Sequence, residues 1–418
     1  MDDRFAANTG RIPALSEEAV RQLHDVYRHL HAHPELSMQE FNTAELIENK
    51  LSKLGIEHRR CGGTGVVGVL RNGNGPVVGY RADIDALPVA EDTGLEYAST
   101  ATGIMADGSQ VPVMHACGHD AHTAVALTLT EVMATHCDMW SGTIVFVFQP
   151  GEETAAGARA MVEDGLWVHA PAPEVIYGQH VGSARAGTIL YTPGVAAATA
   201  DVWKVTVHGR GSHASKPENS IDPIVLASHM IIRLQTIVAR EVSPGESAVV
   251  TVGTIRGGLK DNIIPEKVEF TVNVRALDQN VRDRVLHSIT RILNAESQAS
   301  GAPNPEIEEM YTFPRCVNDP DETQRVVDAL RAEFGSDALL ESPPFLGSED
   351  FGHLSEVLGI PSVYWLYGSA SPEKIERGER VPGNHSAQFA PALEPTLSTA
   401  VRAGIAALMI RLHKNSQT

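Results

Sequence analysis

The sequence predicts an α/β protein in which a large, helix-covered, mostly parallel sheet is interrupted by an inserted ferredoxin-like α+β domain. Three observations predict it. Four continuous apolar runs, VVGY (77 to 80), TIVFVF (143 to 148), EVIYG (174 to 178) and SVYWLYG (362 to 368), suit strands covered on both faces, as in a parallel sheet. Between the third and fourth runs, residues 201 to 313 switch to strands with a two-residue period, whose sheet keeps one solvated face. The 418 residues are enough for two or three domains at roughly 100 to 200 residues each. The expected division is 1–193 with 315–418 for a discontinuous larger domain, and 194–314 for the insert.

The elements follow in order. Residues 16 to 54 read as helical: SEEAVRQLHDVYRHLHAH has a Ser N-cap and acids in its first turn, and FNTAELIENKLSKLG stops at Gly55. HACGHDAH, residues 115 to 122, precedes the apolar stretch TAVALTLTEVM and is placed on a loop entering a helix. In the insert, DVWKVTVHG sets Trp203, Val205 and Val207 against polar partners. A helix follows with Asp222 as N-cap, Pro223 at its first position and Ile224, Ala227, Ile231, Leu234 and Val238 on one face. AVVTVGTIRGG and EKVEFTVNVRAL are period-two strands, a helix from about 279 to 300 ends near Gly301, and PEIEEMYTF is the last strand. That order, β-α-β-β-α-β, is the ferredoxin-like one.

Composition narrows the function. Lys and Arg number 33 against 52 Asp and Glu, and the formal charge of -19 repels nucleic acid and anionic membranes alike. No run approaches the ~18 apolar residues of a membrane span. The opening MDDRFAANTGRIPALSEEAV lacks a basic segment followed by an apolar run, so no signal or transit segment is expected. Cys61, Cys117, Cys137 and Cys316 are scattered, which argues for reduced thiols and a cytoplasmic setting.

Ligands of open α/β sheets bind beyond the carboxyl ends of strands, so the residues following each run are the place to look for chemistry. RADID brings Asp83 and Asp85, QPGEE brings Glu152 and Glu153, and QH brings His180. HACGHDAH and NHS (384 to 386) lie on further loops. Thiolate, imidazole and carboxylate together suit zinc or another borderline transition metal better than calcium or magnesium. Five plausible ligands are too many for one tetrahedral ion with an open position, which favours two bridged ions. Glu152 and Glu153 point different ways if the backbone there is extended, so that one binds metal and the other faces the water it activates.

HAHPELSMQE, GYRADIDALP, MHACGHDAHTA, FVFQPGEE, GQHVG, GRGSHAS, GGLKDNIIP, LGSEDF and NHSAQF together resemble the aminoacylase and carboxypeptidase G family of metal-dependent amidohydrolases, in the branch of hippurate hydrolase and the indole-acetyl-amino-acid hydrolases. The resemblance implies metal ligands at Cys117, His119, Glu153, His180 and His385, with Cys117 bridging, and a general base at Glu152. The wider family has a ligand histidine where this chain has Arg81, and His119 stands in for it. Asp83 is then expected to orient a metal-bound imidazole. The insert would be a lid and dimerisation domain, with His213 reaching into the partner's site to stabilise the oxyanion, and Asn262 and Arg275 holding the substrate's carboxylate. Arg275 leaves the face opposite Val268, Phe270, Val272 and Val274, and a guanidinium suits bidentate carboxylate binding. His31, His33, His115, Asp120 and His122 are read as packing or support near the site rather than ligands.

The activity implied is hydrolysis of N-acyl-L-amino acids in a homodimer with two divalent ions, zinc by the thiolate, with manganese, cobalt or nickel as fits to the same ligands. A dipeptidase or aminopeptidase of the same metal chemistry, an N-acetyl-diaminopimelate-type deacetylase and a non-catalytic metal-binding protein are the alternatives.

Overall fold

The structure, a computed structural model, describes residues 13–414. Residues 1–12, which carry most of the stretch read for a signal segment, lie outside the described residues. The chain divides into two compact units: one runs through Ala196 and includes Val317–Pro343 and everything from Asp350 on, and the other is Ala197–Cys316 with Pro344–Glu349.

The larger unit is built on eight strands: β1 (Glu57–Cys61), β2 (Gly65–Asn72), β3 (Val77–Asp83), β4 (Gly142–Gln149), β5 (Val175–Arg185), β6 (Ile189–Tyr191), β7 (Leu339–Glu341) and β8 (Ser362–Ala370). Their order in the sheet is β1-β2-β4-β3-β5-β8-β6-β7. The central strands β4, β3, β5 and β8 are parallel and are the four apolar runs of the sequence. β4 is buried at every residue, which is why it shows no alternation. β1 and β2 are antiparallel additions: β2, GVVGVLRN, is an apolar run buried over its first six residues, whereas EHRRC of β1 has neither an apolar run nor a clean period.

Helices α1 (Glu17–Ala32), α2 (Phe41–Lys53), α3 (His119–Thr135), α4 (Pro320–Phe334) and α5 (Thr396–Leu412) pack with the sheet into one apolar core. α1 starts where expected, with Ser16 Oγ accepting from the Ala19 amide at 3.1 Å. The stretch from 16 to 54 is two helices, because residues 33 to 40 leave the helical path. α3 and α5 are apolar nearly all round because each is covered on most faces. They meet closely at Gly404, where an added Cβ would lie 2.3 Å from Leu129 Cδ1 and 3.1 Å from the Tyr80 ring.

In the smaller unit, strands Ala248–Gly257, Lys267–Ala276, Thr199–His208 and Glu306–Phe313 lie side by side in that order, all antiparallel. Helices Pro223–Arg240 and Gln279–Ala299 cover one face. Asp222 caps the first, its carboxylate accepting from the Ile224 amide at 2.8 Å, and the second ends before Gly301, which takes φ +66°. Val268, Phe270, Val272 and Val274 face the helices. Asp201 is buried and met by the Arg282 guanidinium at 2.8 and 2.6 Å, a bidentate pair that neutralises it.

Replacing Gly404 by Val should overpack the contact between α3 and α5 and lower stability by about 1 to 3 kcal/mol. A thermal melt unchanged from the parent protein would show that Leu129 and Tyr80 give way freely.

Candidate metal centre

β3 and β4 end together at Asp83 and Gln149, and the chain beyond each turns across the sheet edge. β5 runs on past them. His180 was expected just after this strand and instead lies inside it. The effect is the same, because β3 pairs with β5 only as far as Gly178, so His180 stands beyond the end of β3. HACGHDAH also differs from expectation: His119 is the first helical residue of α3, and Gly118 is its N-cap in the left-handed region at φ +83°. A Cβ on Gly118 would sit 2.3 Å from Val181 Cγ1, so glycine alone fits between Cys117 and His119.

The structure brings the five expected ligands into one run of contacts. Cys117 Sγ is 3.4 Å from His180 Nε2, Glu153 Oε1 is 3.9 Å from His119 Nε2, and the same oxygen is 3.4 Å from His385 Nε2. The donor atoms of Cys117, His119 and Glu153 all lie within 4.8 Å of one another. His385 reaches this place from a backbone at φ +69°, strained for a residue with a Cβ, and its amide donates to Ala116 O at 2.7 Å. Asn384 beside it donates to Cys117 O and to Val181 O, each at 3.1 Å, and so ties this loop to the others.

Glu152 and Glu153 lie on a 3₁₀ turn, Glu152–Thr154, rather than on extended chain. The expected divergence survives for another reason, since successive side chains on such a turn are separated by about 120°. Glu152 is buried, and the Glu153 amide donates to Asp85 Oδ2 at 3.1 Å.

Two imidazoles that look equivalent in sequence are told apart by their partners. His122 Nε2 accepts from the Val181 amide at 2.9 Å, so its proton is on Nδ1, which donates to Asp83. With both nitrogens engaged, His122 has no lone pair for an ion. His119 Nδ1 bonds Asp85 Oδ1 at 3.0 Å, while its Nε2 is buried without a hydrogen-bond partner. The role expected of Asp83, orienting a ligand imidazole, therefore falls to Asp85; the imidazole that Asp83 holds is His122, and its other oxygen lies 3.7 Å from His119 Nε2.

Charge around these atoms is unbalanced. Burial pushes the Asp83 carboxyl up, but Arg81, His119 and His122 outweigh it and hold it well below its ordinary range. Burial opposes charge on His119, yet Asp83, Asp85 and Glu153 raise its pKa to about 10. Burial, then Glu153, Glu152 and Asp83, pushes the Cys117 thiol well up. A divalent cation would reverse the last two of these demands, taking the proton's place on His119 and turning the thiol into a thiolate. With a soft sulfur, imidazoles and a carboxylate converging on buried, unpaired His119 Nε2 and Glu153 Oε1, the residues fit a borderline divalent metal.

The sequence marks Arg81 only as replacing a ligand histidine, and His31, His33 and His115 are read there as packing or support. Arg81 is buried and donates to Asp83 at 2.7 Å, Gln149 Oε1 at 2.9 Å and Asp350 at 3.2 Å. His31 sits between Asp120 at 2.7 Å and Glu91 at 3.0 Å, which outweigh its burial and raise its pKa to about 10. His115 is buried with both ring nitrogens unpartnered, and burial lowers its pKa to about 4. His33 Nδ1 bonds His29 O, at the exposed end of α1.

The smaller unit holds the other three expected residues. Strand Ser212–His213 pairs with Ile263–Ile264, and the Ala214 amide donates to Asn262 O at 3.0 Å, so His213 and Asn262 are neighbours. His213 is exposed, and its Nδ1 accepts from the Ser215 amide at 3.1 Å, which leaves the proton on Nε2 as an outward donor. The Asn262 side-chain oxygen is buried without a partner. Arg275 is not grouped with them; it donates to Asn273 Oδ1 at 3.2 Å and to Leu346 O at 2.7 Å.

Comparison with known proteins places this geometry. The model of Peptidase family M20/M25/M40 matches residues 79–397, from β3 to the start of α5. The chain belongs to that family. Thermostable carboxypeptidase 1 of Saccharolobus solfataricus is 35% identical over 381 residues, covering 88% of this chain and 91% of the relative. Hippurate hydrolase of Campylobacter jejuni is 36% identical, covering 78% and 83%. Among solved structures, the YXEP protein of Bacillus subtilis, described as a dinuclear metal binding peptidase from the M20 family, aligns with a TM-score of 0.75 at 29% identity over 94% of this chain and 99% of its own. The resemblance seen in the sequence motifs is borne out, as is the α/β fold class. The protein is a hydrolase of this peptidase family.

Converting Asp85 to Asn should weaken binding of a divalent metal by about 10- to 100-fold, because the amide no longer fixes the His119 tautomer. Equilibrium dialysis with zinc measures this, and unaltered affinity would remove Asp85 from the support of His119.

Proposed function

We propose that the protein hydrolyses the amide bond of N-acyl-L-amino acids to a carboxylic acid and a free amino acid, using two divalent metal ions. The observation that carries this reading is the buried Glu152 standing one residue from Glu153, whose unpaired oxygen faces His119 and His385. That pairing supports one acid binding an ion while its neighbour moves protons. Cys117, His119, Glu153, His180 and His385 would hold the pair, with Cys117 between them, and the thiolate favours zinc. A thiolate ligand also suits the reducing, cytoplasmic setting expected from the scattered cysteines. When bound, the ions supply Lewis acidity, drawing the acidity of water toward neutral pH and polarising the acyl carbonyl.

The chain's own residues do the rest. A Glu152 carboxylate oxygen takes the proton of the attacking water and hands it to the leaving amine nitrogen. The outward Nε2 donor of His213, contributed by a partner subunit, holds the carbonyl oxygen as it gains charge. Asn262 and Arg275 hold the amino acid's carboxylate. The two relatives support a substrate with that carboxylate, since hippurate and a carboxypeptidase's substrate share an amide whose nitrogen belongs to an amino acid with a free carboxyl group.

A lid and dimerisation role for residues 194–314 belongs to the same reading. Its support is an edge strand, Ala248–Gly257, carrying exposed Ile255, and a helix carrying exposed Val225 and Ile232, apolar surface that a second copy would cover. The carboxypeptidase relative favours one competing reading, cleavage of a peptide's last residue.

A panel of N-acetyl, N-benzoyl and long-chain acyl amino acids beside dipeptides and longer peptides, assayed for released amine, separates the two. Acyl amino acids should be the better substrates. Glu152→Gln should keep its metal and lose about 10²- to 10⁴-fold in kcat; near-normal turnover would end the base assignment. Mixed dimers of His213→Ala and Glu152→Gln chains, each inactive alone, should regain a measurable part of the activity, and none in verified heterodimers would exclude action across the dimer.

A further inference from the structure

The motif HPELSMQE, residues 33 to 40, supplies no ligand, yet it touches both carboxylate arms of the centre. Ser37 Oγ donates to Asp85 Oδ2 at 2.6 Å, the same oxygen that accepts the Glu153 amide. Glu40 Oε1 accepts the amides of Gly151 at 2.8 Å and Met38 at 2.9 Å, and its Oε2 accepts from the Thr64 hydroxyl. The amides of Gly151 and Glu153 flank Glu152, so one side of that residue is held by Glu40 on this segment and the other by Asp85, which Ser37 of the segment holds in turn. We infer that residues 35 to 40 brace the Glu152–Glu153 turn, and that Glu40 is a positioning residue for the reaction.

The ordinary explanation of an acid before a helix is a cap, and Glu40 does not serve as one. It precedes α2 and makes no side-chain bond to that helix. Capping falls to Glu35, which accepts from the Asn42 and Thr43 amides at 3.1 and 2.8 Å and whose carbonyl accepts the Ala86 amide at 2.8 Å. The segment is thus anchored at its start, and Glu40, fully buried, spends its oxygens on the loop before β2, on Met38 and on the turn. Burying a carboxylate is costly unless donors converge on it; three do, although burial and then Asp85 still push the Glu40 carboxyl up to about 7. The turn is also wedged from this side: Gly151 has φ +53°, and a Cβ there would lie 2.6 Å from Met38 Sδ, while Met38 itself has φ +63°. Such backbone at a residue with a side chain persists where its surroundings impose it.

This inference rests on Glu152 as base, and a displacement of about 1 Å there is enough for a 10²-fold loss. The test compares Glu40→Ala with Glu40→Gln in the full-length, metal-loaded protein. The glutamine can keep its carbonyl on the two amides and donate its NH₂ to the Thr64 oxygen. In Glu40→Ala, hydrogen exchange at the Gly151 and Glu153 amides should rise by about tenfold or more, and kcat should fall by about tenfold or more with KM within about twofold. Glu40→Gln should recover most of both losses. Unchanged exchange in Glu40→Ala, or a glutamine as damaging as the alanine, overturns the brace. Should Glu40→Ala fail to fold, Ser37→Ala carries the same test to the Glu153 amide through Asp85, where unchanged exchange is again fatal. Glu152→Gln measured alongside keeps the readings apart, because turnover surviving in it removes the base assignment and leaves the exchange result standing.

Discussion

A carboxylate buried away from water needs a cation or a full set of donors, and the sheet edge of the larger unit gathers more carboxylates than it has fixed cations. Two positive side chains are committed. Arg81 takes Asp83 and Asp350, and His31 takes Asp120 and Glu91. Asp85 and Glu40 are met instead by hydroxyls, amides and an imidazole. What remains is the buried Glu152 and, beside it, the region of Glu153, Cys117 and His119, where an imidazole proton is held up to about 10 and a thiol is prevented from ionising. Burial and Asp85 push the Glu40 carboxyl up to about 7 as well, but it is at Glu153, Cys117 and His119 that soft and hard donors face one another.

This division gives Arg81 its meaning. In a site of this kind an imidazole at that position would add a lone pair, whereas a guanidinium adds a permanent charge and five donors. Its bonds to Asp83, Gln149 and Asp350 lock the ends of β3 and β4 to the loop at 350. Gln149 completes the lock by donating to Asp350 at 2.6 Å, and Asp350 also accepts the Ala158 amide at 3.1 Å. The GSEDF motif is in this way structural at Asp350, holding the cation that keeps Asp83 ionised.

The fold was legible because burial writes itself into composition: β4 and β8 lack alternation since both faces are covered, and the smaller unit's strands alternate since one is not. β1 escaped because its five residues carry no such signal. In the site, residues that offer chemistry were readable from their types and their place after strands. Those that only orient them were not. Asp85, Glu40 and Asn384 act through partners 34, 111 and 267 positions away, and nothing in a local pattern records such a distance. His119 and His122 differ in sequence only by position, and their separation into candidate ligand and support depends on a backbone amide that meets the His122 ring and not the His119 ring.

That amide is Val181, and the reason it is free to act lies in the register of the sheet. β3 stops pairing with β5 at Gly178, so beyond it the Val181 amide and carbonyl have no partner strand on that side. The amide goes to His122 Nε2, which forces the proton onto Nδ1 and ties up the ring. The carbonyl accepts from His180 Nδ1 at 2.7 Å, which leaves the His180 Nε2 lone pair facing Cys117. It also accepts from Asn384, setting the loop that carries His385. One residue at a strand's unpaired edge thus fixes two imidazoles in the same Nδ1–H tautomer, one by donating to its Nε2 and the other by accepting from its Nδ1, and anchors a third loop. A slip of β5 by one residue would exchange the face on which His180 lies and withdraw all three contacts together. The length of β3 is therefore as much a determinant of the centre as any ligand, because it decides where the sheet's own hydrogen bonds end and those of the site begin.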